Sequence, residues 1–280
     1  LLTGATAPNH ERSTGPKSDR LLDTRLMRYA SLGSGSAGNA VLVEHGGSAI
    51  IIDCGLSLRE LERRSARLAF DTTTLVAVVV THEHNDHISG VPALARRYAL
   101  PVHLSSGTRR AAAARLTSVP DIEEFRPGRP FDIGAFSMYP VIVPHDAREP
   151  CQFVIEVDGN RLGILTDLGQ LTAHLERSFS DLDALFLEFN HDSSMLETSA
   201  YPFTLRQRIA GGYGHLSNAQ AESFLRRMDQ TRLSWLTAGH LSEKTNTAAE
   251  VLACLRRTLA THVQHHIASQ IEPSPWFHLD

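Results

Sequence analysis

The segment HEHNDH, residues 82–87, places three imidazoles and one carboxylate with metal affinity within six positions. It directly follows a run of apolar residues that is typical of a buried strand. Imidazole nitrogens and carboxylate oxygens are ligands for zinc, manganese and iron, and the segment has no thiolate that would narrow this choice. Because alternate side chains of a loop point the same way, we predict that His82 and His84 bind one ion while Asp86 and His87 turn towards a second.

Three further candidate ligands, His145, Asp167 and His240, each stand directly after an apolar segment that predicts a strand. Strand ends along one sheet edge can bring residues that are distant in sequence into one site, so we predict that these three join the His-rich segment. Asp53 ends another predicted strand. It is predicted to fix the His-rich segment from behind by hydrogen bonding, the alternative being an ordinary strand-end turn.

The apolar periodicity predicts strands and helices that alternate along the chain without a Gly/Pro-rich linker. The predicted strands are 27–32, 39–45, 48–53, 75–80, 136–143, 152–157, 161–166, 183–188 and 234–238. The predicted helices are 57–68, 88–98, 170–178, 201–211, 217–228 and 247–260, the last two opening on capping boxes at Ser217 and Thr247. On the first of them, Arg63 and Arg64 are predicted to lie largely opposite the apolar face, towards solvent. This order predicts a single layered α/β domain with helices outside two sheets.

The composition is that of an ordinary globular protein, with 42% hydrophobic residues and no apolar run near the roughly 20 residues of a membrane span. The formal net charge of −4 argues against a generally basic protein that coats nucleic acid. Three cysteines without C-x-x-C spacing indicate neither a disulfide framework nor a thiolate zinc site, and they favour a cytoplasmic location. Residues 1–26 are polar and are predicted to be a disordered leader or extension before a catalytic domain at 27–280.

The chain resembles the metallo-β-lactamase superfamily and, within it, the YycJ/WalJ-type metallo-hydrolases. The resemblance runs from about residue 27 to near residue 262, through segments such as SLGSGSAGNAVLVE, IIIDCGLSLRELERR, VTHEHNDHISGV, LTDLG, LEFNHDSSML and GHLSEKTN. It implies an αββα sandwich that holds two divalent metal ions. The implied ligands are His82, His84 and His145 for one ion and Asp86, His87 and His240 for the other, with Asp167 bridging them.

The resemblance implies a metal-dependent nuclease, a 5′→3′ exonuclease on DNA with some single-strand endonuclease action and a role in DNA repair. Two ions about 3.5–4 Å apart can hold a hydroxide between them and clamp the attacking and leaving oxygens of an in-line displacement. Asp86 and Asp167 make the site rich in oxygen ligands, which favours manganese, with zinc as the other candidate. Asp86 is predicted to be both a metal ligand and a catalytic residue. The expected partner is a DNA duplex end or single strand, without a membrane; the oligomeric state is left open.

His215, in the segment GYGHLSNAQA, resembles the Gly-His-Ser-Thr segment of the more distantly related tRNase Z enzymes, in which a His is paired with a Glu. Glu188 matches that Glu. We therefore predict that His215 is a general acid or phosphate ligand oriented by Glu188; the alternative is a histidine that merely precedes a helix. His191 is a lower-ranked candidate for a substrate or phosphate contact.

The segment GSGSAG, residues 33–38, matches the G-x-G-x-x-G pattern of dinucleotide-binding sites. That pattern must open a helix to bind a dinucleotide, whereas here it leads into a predicted strand, so we reject this function. A contact of Ser36 or Asn39 with a substrate phosphate remains compatible with the pattern.

The stretch between Asp167 and His240 is too short for the large inserted domain of RNase J-type enzymes, so we expect a compact nuclease. Arginine-bearing segments around residues 96–97, 109–115, 206–208 and 226–227 are candidate phosphate contacts, although most are expected to be solvated helix faces. Three alternatives remain: a small-molecule, cyclic-nucleotide-like phosphodiesterase, an RNA-processing nuclease, and a metal-binding protein without activity. The complete set of ligands argues against the last.

Overall fold

The structure, a computed structural model, describes residues 26–279. The predicted leader at 1–26 lies outside the described residues except for its last position. Two seven-stranded sheets form the body of the described chain. No helix in this part of the chain combines the length and the apolar character needed to cross a membrane.

The first sheet is built from the N-terminal half of the chain and its last strand. Its strands are β1 (Met27–Gly33), β2 (Ala40–His45), β3 (Ser48–Ile52), β4 (Leu75–Val79), β5 (Val102–Ser105), β6 (Ile122–Phe125) and β14 (Phe277–Leu279). The spatial order is β14-β1-β2-β3-β4-β5-β6. The pairs from β14 to β3 are antiparallel, whereas β3 to β6 are parallel.

The second sheet is built from the C-terminal half. Its strands are β7 (Phe131–Ile133), β8 (Phe136–Ile142), β9 (Cys151–Val157), β10 (Asn160–Leu165), β11 (Ala184–Glu188), β12 (Trp235–Gly239) and β13 (Gln264–Ile267). They pair in the order β13-β12-β11-β10-β9-β8-β7, parallel from β10 to β13 and antiparallel from β7 to β10. The strands β8, β10 and β12 therefore run in the same direction, and their carboxyl ends lie along one edge.

Ten helices cover the sheets in the described chain. They are α1 (Leu58–Arg67), α2 (Asn85–Ile88), α3 (Val91–Tyr98), α4 (Ser106–Ala111), α5 (Ala113–Leu116), α6 (Ala173–Ser178), α7 (Ser193–Thr198), α8 (Phe203–Ile209), α9 (Asn218–Arg227) and α10 (Ala248–Thr258). The predicted capping box at Ser217 is complete. At Thr247 the hydroxyl accepts from the Glu250 backbone N–H, and the described hydrogen bonds contain no return bond from the Glu250 side chain.

Apolar side chains form three layers of contact. Between the sheets, Tyr29 of the first packs in one cluster with Phe153 and Phe186 of the second. Leu61 of α1 packs on the outer face of the first sheet, and Phe224 of α9 packs on the outer face of the second. The order helix, sheet, sheet, helix confirms the predicted αββα sandwich and its single domain.

Two local predictions about the first half were wrong. The His-rich segment is not wholly a loop, because residues 85–88 form the short helix α2, which ends before Gly90 and α3. Arg64 was predicted on the solvent face of α1, but its side chain is buried. Its guanidinium donates to the carbonyl oxygens of Leu32 and Gln270, so it ties α1 to the segments that flank the glycine-rich turn.

Candidate metal centre

The predicted ligands converge where strands of both sheets end. The His-rich segment follows β4, and His145, Asp167 and His240 follow β8, β10 and β12. All but the half-exposed His84 and Asp86 are buried. The sandwich thus assembles one site from side chains that lie far apart in sequence.

Three imidazoles form the first cluster. The Nδ1 atom of His84 lies 3.1 Å from Nε2 of His82 and 3.2 Å from Nε2 of His145. Each residue offers one nitrogen to a common point, and the three nitrogens lie within 4.8 Å of one another. This cluster can hold one metal ion through three nitrogen ligands.

The second cluster combines nitrogens and oxygen. Oδ2 of Asp86 lies 3.5 Å from Nε2 of His87 and 3.7 Å from Nε2 of His240. Asp167 lies between the two clusters, with Oδ2 3.2 Å from His87 Nε2 and Oδ1 3.3 Å from His240 Nε2 and 4.0 Å from His145 Nε2. The carboxylate of Asp167 is therefore placed to reach ions in both clusters.

Two buried atoms in this centre lack a hydrogen-bond partner among the described residues: Oδ2 of Asp167 and Nε2 of His240. Buried polar atoms are normally paired, because an unpaired one costs about 1–3 kcal/mol. Both atoms face the ligand clusters, and a cation bound there would satisfy them. The residues therefore fit the divalent ions that the sequence implied, and the nitrogen and oxygen donors suit zinc or manganese alike.

The shifted pKa values of Asp167 and His240 also indicate a centre that binds cations. Burial alone would raise the pKa of Asp167, but the adjacent His240 and His87 hold it well below its usual value. Burial alone would lower the pKa of His240, but Asp167, Asp86 and Glu188 raise it to about 10. The carboxylates thus create a strongly negative centre that needs cationic partners, which protonated histidines provide when no ion is bound.

Asp53 lies directly behind the His-rich segment. Its Oδ2 accepts from His87 Nδ1 at 2.7 Å and from the Thr81 hydroxyl at 2.8 Å, and its Oδ1 accepts from the Thr81 backbone N–H at 2.8 Å. A proton held on Nδ1 leaves Nε2 of His87 free to face the centre. Asp53 is thus placed as the sequence predicted.

Glu188 is fully buried at the end of β11 and contacts two histidines. Its Oε1 lies 2.8 Å from Nδ1 of His215 and 3.1 Å from Nδ1 of His240, and its Oε2 accepts from two backbone N–H groups, those of Leu168 and Leu216. Burial alone would raise the pKa of Glu188, but the two histidines lower it to about 2. The predicted pair of Glu188 and His215 is brought together, and its link to His240 was not foreseen.

Comparison with known proteins decides the family. A family model described as "Beta-lactamase superfamily domain" matches residues 48–236, which is more than half of the chain. The chain belongs to the metallo-β-lactamase superfamily. The fold of this family implies divalent metal ions, and the histidine and aspartate clusters are able to hold them.

Two curated relatives cover most of this metallo-β-lactamase-fold chain. The exodeoxyribonuclease WalJ of Streptococcus pneumoniae is 30% identical over 224 residues, which are 79% of this chain and 83% of that protein. The exodeoxyribonuclease YycJ of Bacillus anthracis is 28% identical over 226 residues, which are 79% and 84% of the two chains. The solved structure of the metallo-β-lactamase-fold protein YhfI of Bacillus subtilis superposes with a TM-score of 0.67 at 16% identity, covering 89% of this chain and 99% of that one. The family and these relatives make the chain a metal-dependent hydrolase.

The cleft of this hydrolase has a volume of about 470 Å³ and opens onto both ligand clusters. Ser36 lines it and is exposed. Asn39 lies behind it, with its side-chain nitrogen 3.2 Å from Asp86 Oδ2 and 3.0 Å from His87 Nε2. His191, in contrast, does not line the cleft but a neighbouring cavity.

Of two further polar residues at the centre, one was only a candidate phosphate contact in the sequence and the other was missed. Arg208 lines the cleft, and its Nε donates to Oδ2 of Asp146 at 2.6 Å. Asn190 donates through its side-chain nitrogen to the carbonyl oxygen of His240 at 3.0 Å. Arg208 was indicated only as part of the arginine-bearing segment 206–208. Asn190 was not indicated, because a single polar residue outside a motif looks like any loop residue.

Two ligands have an unusual backbone conformation. His240 has a φ of 56° and Asp167 a φ of 53°, and Asp53 behind them has a φ of 60°. This left-handed region is uncommon for residues other than glycine, although Asp tolerates it better than His. Strain of this kind is typical of functional sites, and here it turns side chains that follow straight strands towards the centre.

Proposed function

We propose that this hydrolase cleaves phosphodiester bonds in DNA, as a 5′→3′ exonuclease with some single-strand endonuclease action. One observation carries the proposal: seven side chains form two clusters joined by Asp167, and members of both clusters line an open cleft together with His215 and Arg208. The relatives named exodeoxyribonucleases support DNA as the substrate.

The proposed ligands are those that the family resemblance implied, His82, His84 and His145 for one ion and Asp86, His87 and His240 for the other, with Asp167 shared. Manganese is favoured, with zinc as the alternative. When bound, the two ions would lower the pKa of a water molecule and neutralise the charge of the phosphodiester.

His215 is proposed to protonate the leaving oxygen. Its Nδ1 is held by Glu188, so Nε2 is the nitrogen left to face a substrate in the cleft. Burial alone would lower the pKa of His215, but the charge and hydrogen bond of Glu188 raise it. Glu188 therefore favours the protonated form of His215, which is the form that a general acid requires.

Arg208 and Ser36 are proposed to hold the phosphate. The guanidinium of Arg208 is anchored by Asp146 at the cleft wall and can donate to phosphate oxygens. The hydroxyl of Ser36 is exposed on the same cleft. The amide nitrogen of Asn39 already contacts Asp86 and His87, so Asn39 is better placed to position ligands than to bind substrate.

The test is digestion of 5′-phosphorylated duplex and single-stranded DNA, labelled at the 5′ or the 3′ end, with manganese or with EDTA. Release of the 5′ label at once as mononucleotide, with gradual shortening of the 3′-labelled strand, is the expected result. Asp86→Ala should abolish it, and RNA of the same sequence tests the preference for DNA. Intact DNA in the presence of bound metal would refute the proposal and make small phosphodiesters the next substrates.

Three broader predictions belong to the same proposal. The enzyme is placed in the cytoplasm with a role in DNA repair. Residues 1–26 are proposed to be a leader outside the catalytic domain 27–280. Fractionation of cells tests the location, the sensitivity of cells lacking the enzyme to DNA damage tests the repair role, and cleavage by a chain that starts at Met27 tests the leader.

A further inference from the structure

A second cavity of about 340 Å³ lies beside the metal cleft. It is formed by the segment after β11, by α7 and by α8, and its lining includes His191, Ser193, Phe203, Arg206 and Gln207. None of the proposed metal ligands lines it. The function proposed above leaves this cavity without a role.

The two cavities share their walls. Asn190 lines the metal cleft while the next residue, His191, lines the second cavity. On α8, Arg208 lines the cleft and Gln207 lines the second cavity. Residues that are adjacent in the chain therefore line both cavities, which places the second cavity within about one nucleotide of the metal cleft.

The second cavity offers an aromatic surface at its entrance. Phe203 begins α8 and is 64% exposed. A ring fixed on the first turn of a helix and open to solvent on the rim of a cavity is a platform on which a flat ligand can stack.

The interior of the cavity holds polar groups without partners. His191 is only 2% exposed, and its Nδ1 has no hydrogen-bond partner among the described residues. The Nε of Arg206 is buried and likewise unpaired, although another nitrogen of the same guanidinium donates to the carbonyl oxygen of Glu197. Such groups are costly to bury unpaired, so a ligand that fits would supply an acceptor for the Nε–H of Arg206 and a hydrogen-bond partner for Nδ1 of His191.

We propose that this cavity is a subsite for one unpaired nucleobase of the DNA strand, which stacks on Phe203 and hydrogen-bonds His191 through its edge. The inference rests on the proposed function and deepens it, because a base that leaves its stack must come from a single strand or a frayed end. The Arg206 guanidinium then faces the phosphate that joins this nucleotide to the one in the cleft.

Two further observations favour a base over a lone phosphate. Glu197 and Arg206 both line the cavity, so their opposite charges offset each other and leave no net positive charge to hold an isolated phosphate. Burial lowers the pKa of His191 to about 4, so the ring is neutral at pH 7 and presents one donor and one acceptor, which is also the character of a base edge.

The test measures binding and does not depend on cleavage. The probe is a fluorescent single-stranded oligonucleotide with phosphorothioate linkages, which resist hydrolysis, and a series in which one position at a time lacks its base. With the metal-loaded wild type, fluorescence anisotropy should show that one abasic position weakens binding by about tenfold, as expected for one lost stacking contact. Phe203→Ala should weaken binding of the complete strand by a similar factor and remove the response to that abasic position.

Controls separate this inference from the proposed function. Ile271→Ala removes another exposed apolar side chain that lines neither cavity, and it should keep the abasic response. Equal binding of all abasic strands by the wild type, absence of any binding, or loss of binding only on removal of the 5′ phosphate would each overturn the base subsite. A clear abasic response without cleavage of ordinary DNA would leave the subsite standing and refute the nuclease.

Discussion

Replacement of Asp53 by Asn tests whether the carboxylate behind the His-rich segment controls metal binding. The two oxygens of Asp53 accept from three donors: His87 Nδ1, the Thr81 hydroxyl and the Thr81 backbone N–H. An amide has only one oxygen, so in either orientation its NH₂ group faces at least one of these donors. The φ of 60° suits Asn as well as Asp, so the backbone itself is not disturbed.

Two opposed effects determine how far Asp53→Asn lowers the metal affinity. Loss of a partner behind a metal-binding histidine typically lowers metal affinity by about 10- to 100-fold, or roughly 1.4–2.8 kcal/mol. Burial alone would lower the pKa of His87, but Asp167 and Asp53 raise it well above its usual value. A proton on His87 competes with the metal ion, and Asp53→Asn would weaken the binding of that proton as well. We therefore expect Asp53→Asn to lower the metal affinity by about tenfold at pH 8.5. The loss of affinity should be smaller at pH 6.5, because weaker competition from the proton helps the variant most at low pH.

Asp158→Asn is a matched control. Asp158 also has a left-handed φ, of 50°, and its Oδ2 also faces a histidine, with 3.3 Å to Nε2 of His45, but it is 79% exposed and far from the centre. Competition with a chromophoric chelator gives the affinities, and elemental analysis gives the number of ions bound. Affinity of Asp53→Asn within twofold of wild type at both pH values would refute this reasoning.

Three other variants test further parts of the structure. Glu188→Gln, compared at equal metal content, should lower kcat by about 100-fold and move the alkaline limb of the pH–rate profile to lower pH, because without that charge the pKa of His215 falls. Arg208→Ala should lower kcat/KM on DNA by about tenfold and make the log–log salt slope shallower by about one, which cleavage rates at several salt concentrations would show. Arg64→Ala should lower the free energy of unfolding by about 3 kcal/mol, since it leaves two buried carbonyl oxygens unpaired, whereas the exposed Arg63→Ala should change it by less than about 0.5 kcal/mol in denaturant titrations.

The convergence of the proposed ligands was predictable because their signal is local. Metal-binding residue types directly follow long apolar strands, and such strands are recognisable from a few consecutive residues. His145, Asp167 and His240 needed only the additional rule that strand ends meet at a sheet edge, and the structure brings them within reach of the His-rich segment.

The elements that were missed depend on distant partners. The strands β6 and β13 are short and carry few apolar residues, with sequences IEEF and QHHI, so their pattern does not differ from that of a loop. β14 pairs with β1, which lies at the opposite end of the described chain. Arg64 was assigned to solvent because a guanidinium is usually solvated, and only the two carbonyl oxygens from remote segments make its burial favourable.

The two ligand clusters have a consequence for the maturation of the protein. In each of them, two ligands come from the segment after β4 in the first sheet, and the third comes from the second sheet, His145 in one cluster and His240 in the other. A newly made chain whose two halves have not yet docked therefore offers only two side chains to either ion. The complete set of proposed ligands for either ion is therefore assembled only when the sandwich has closed, so an incompletely folded chain would lack the centre that hydrolysis needs.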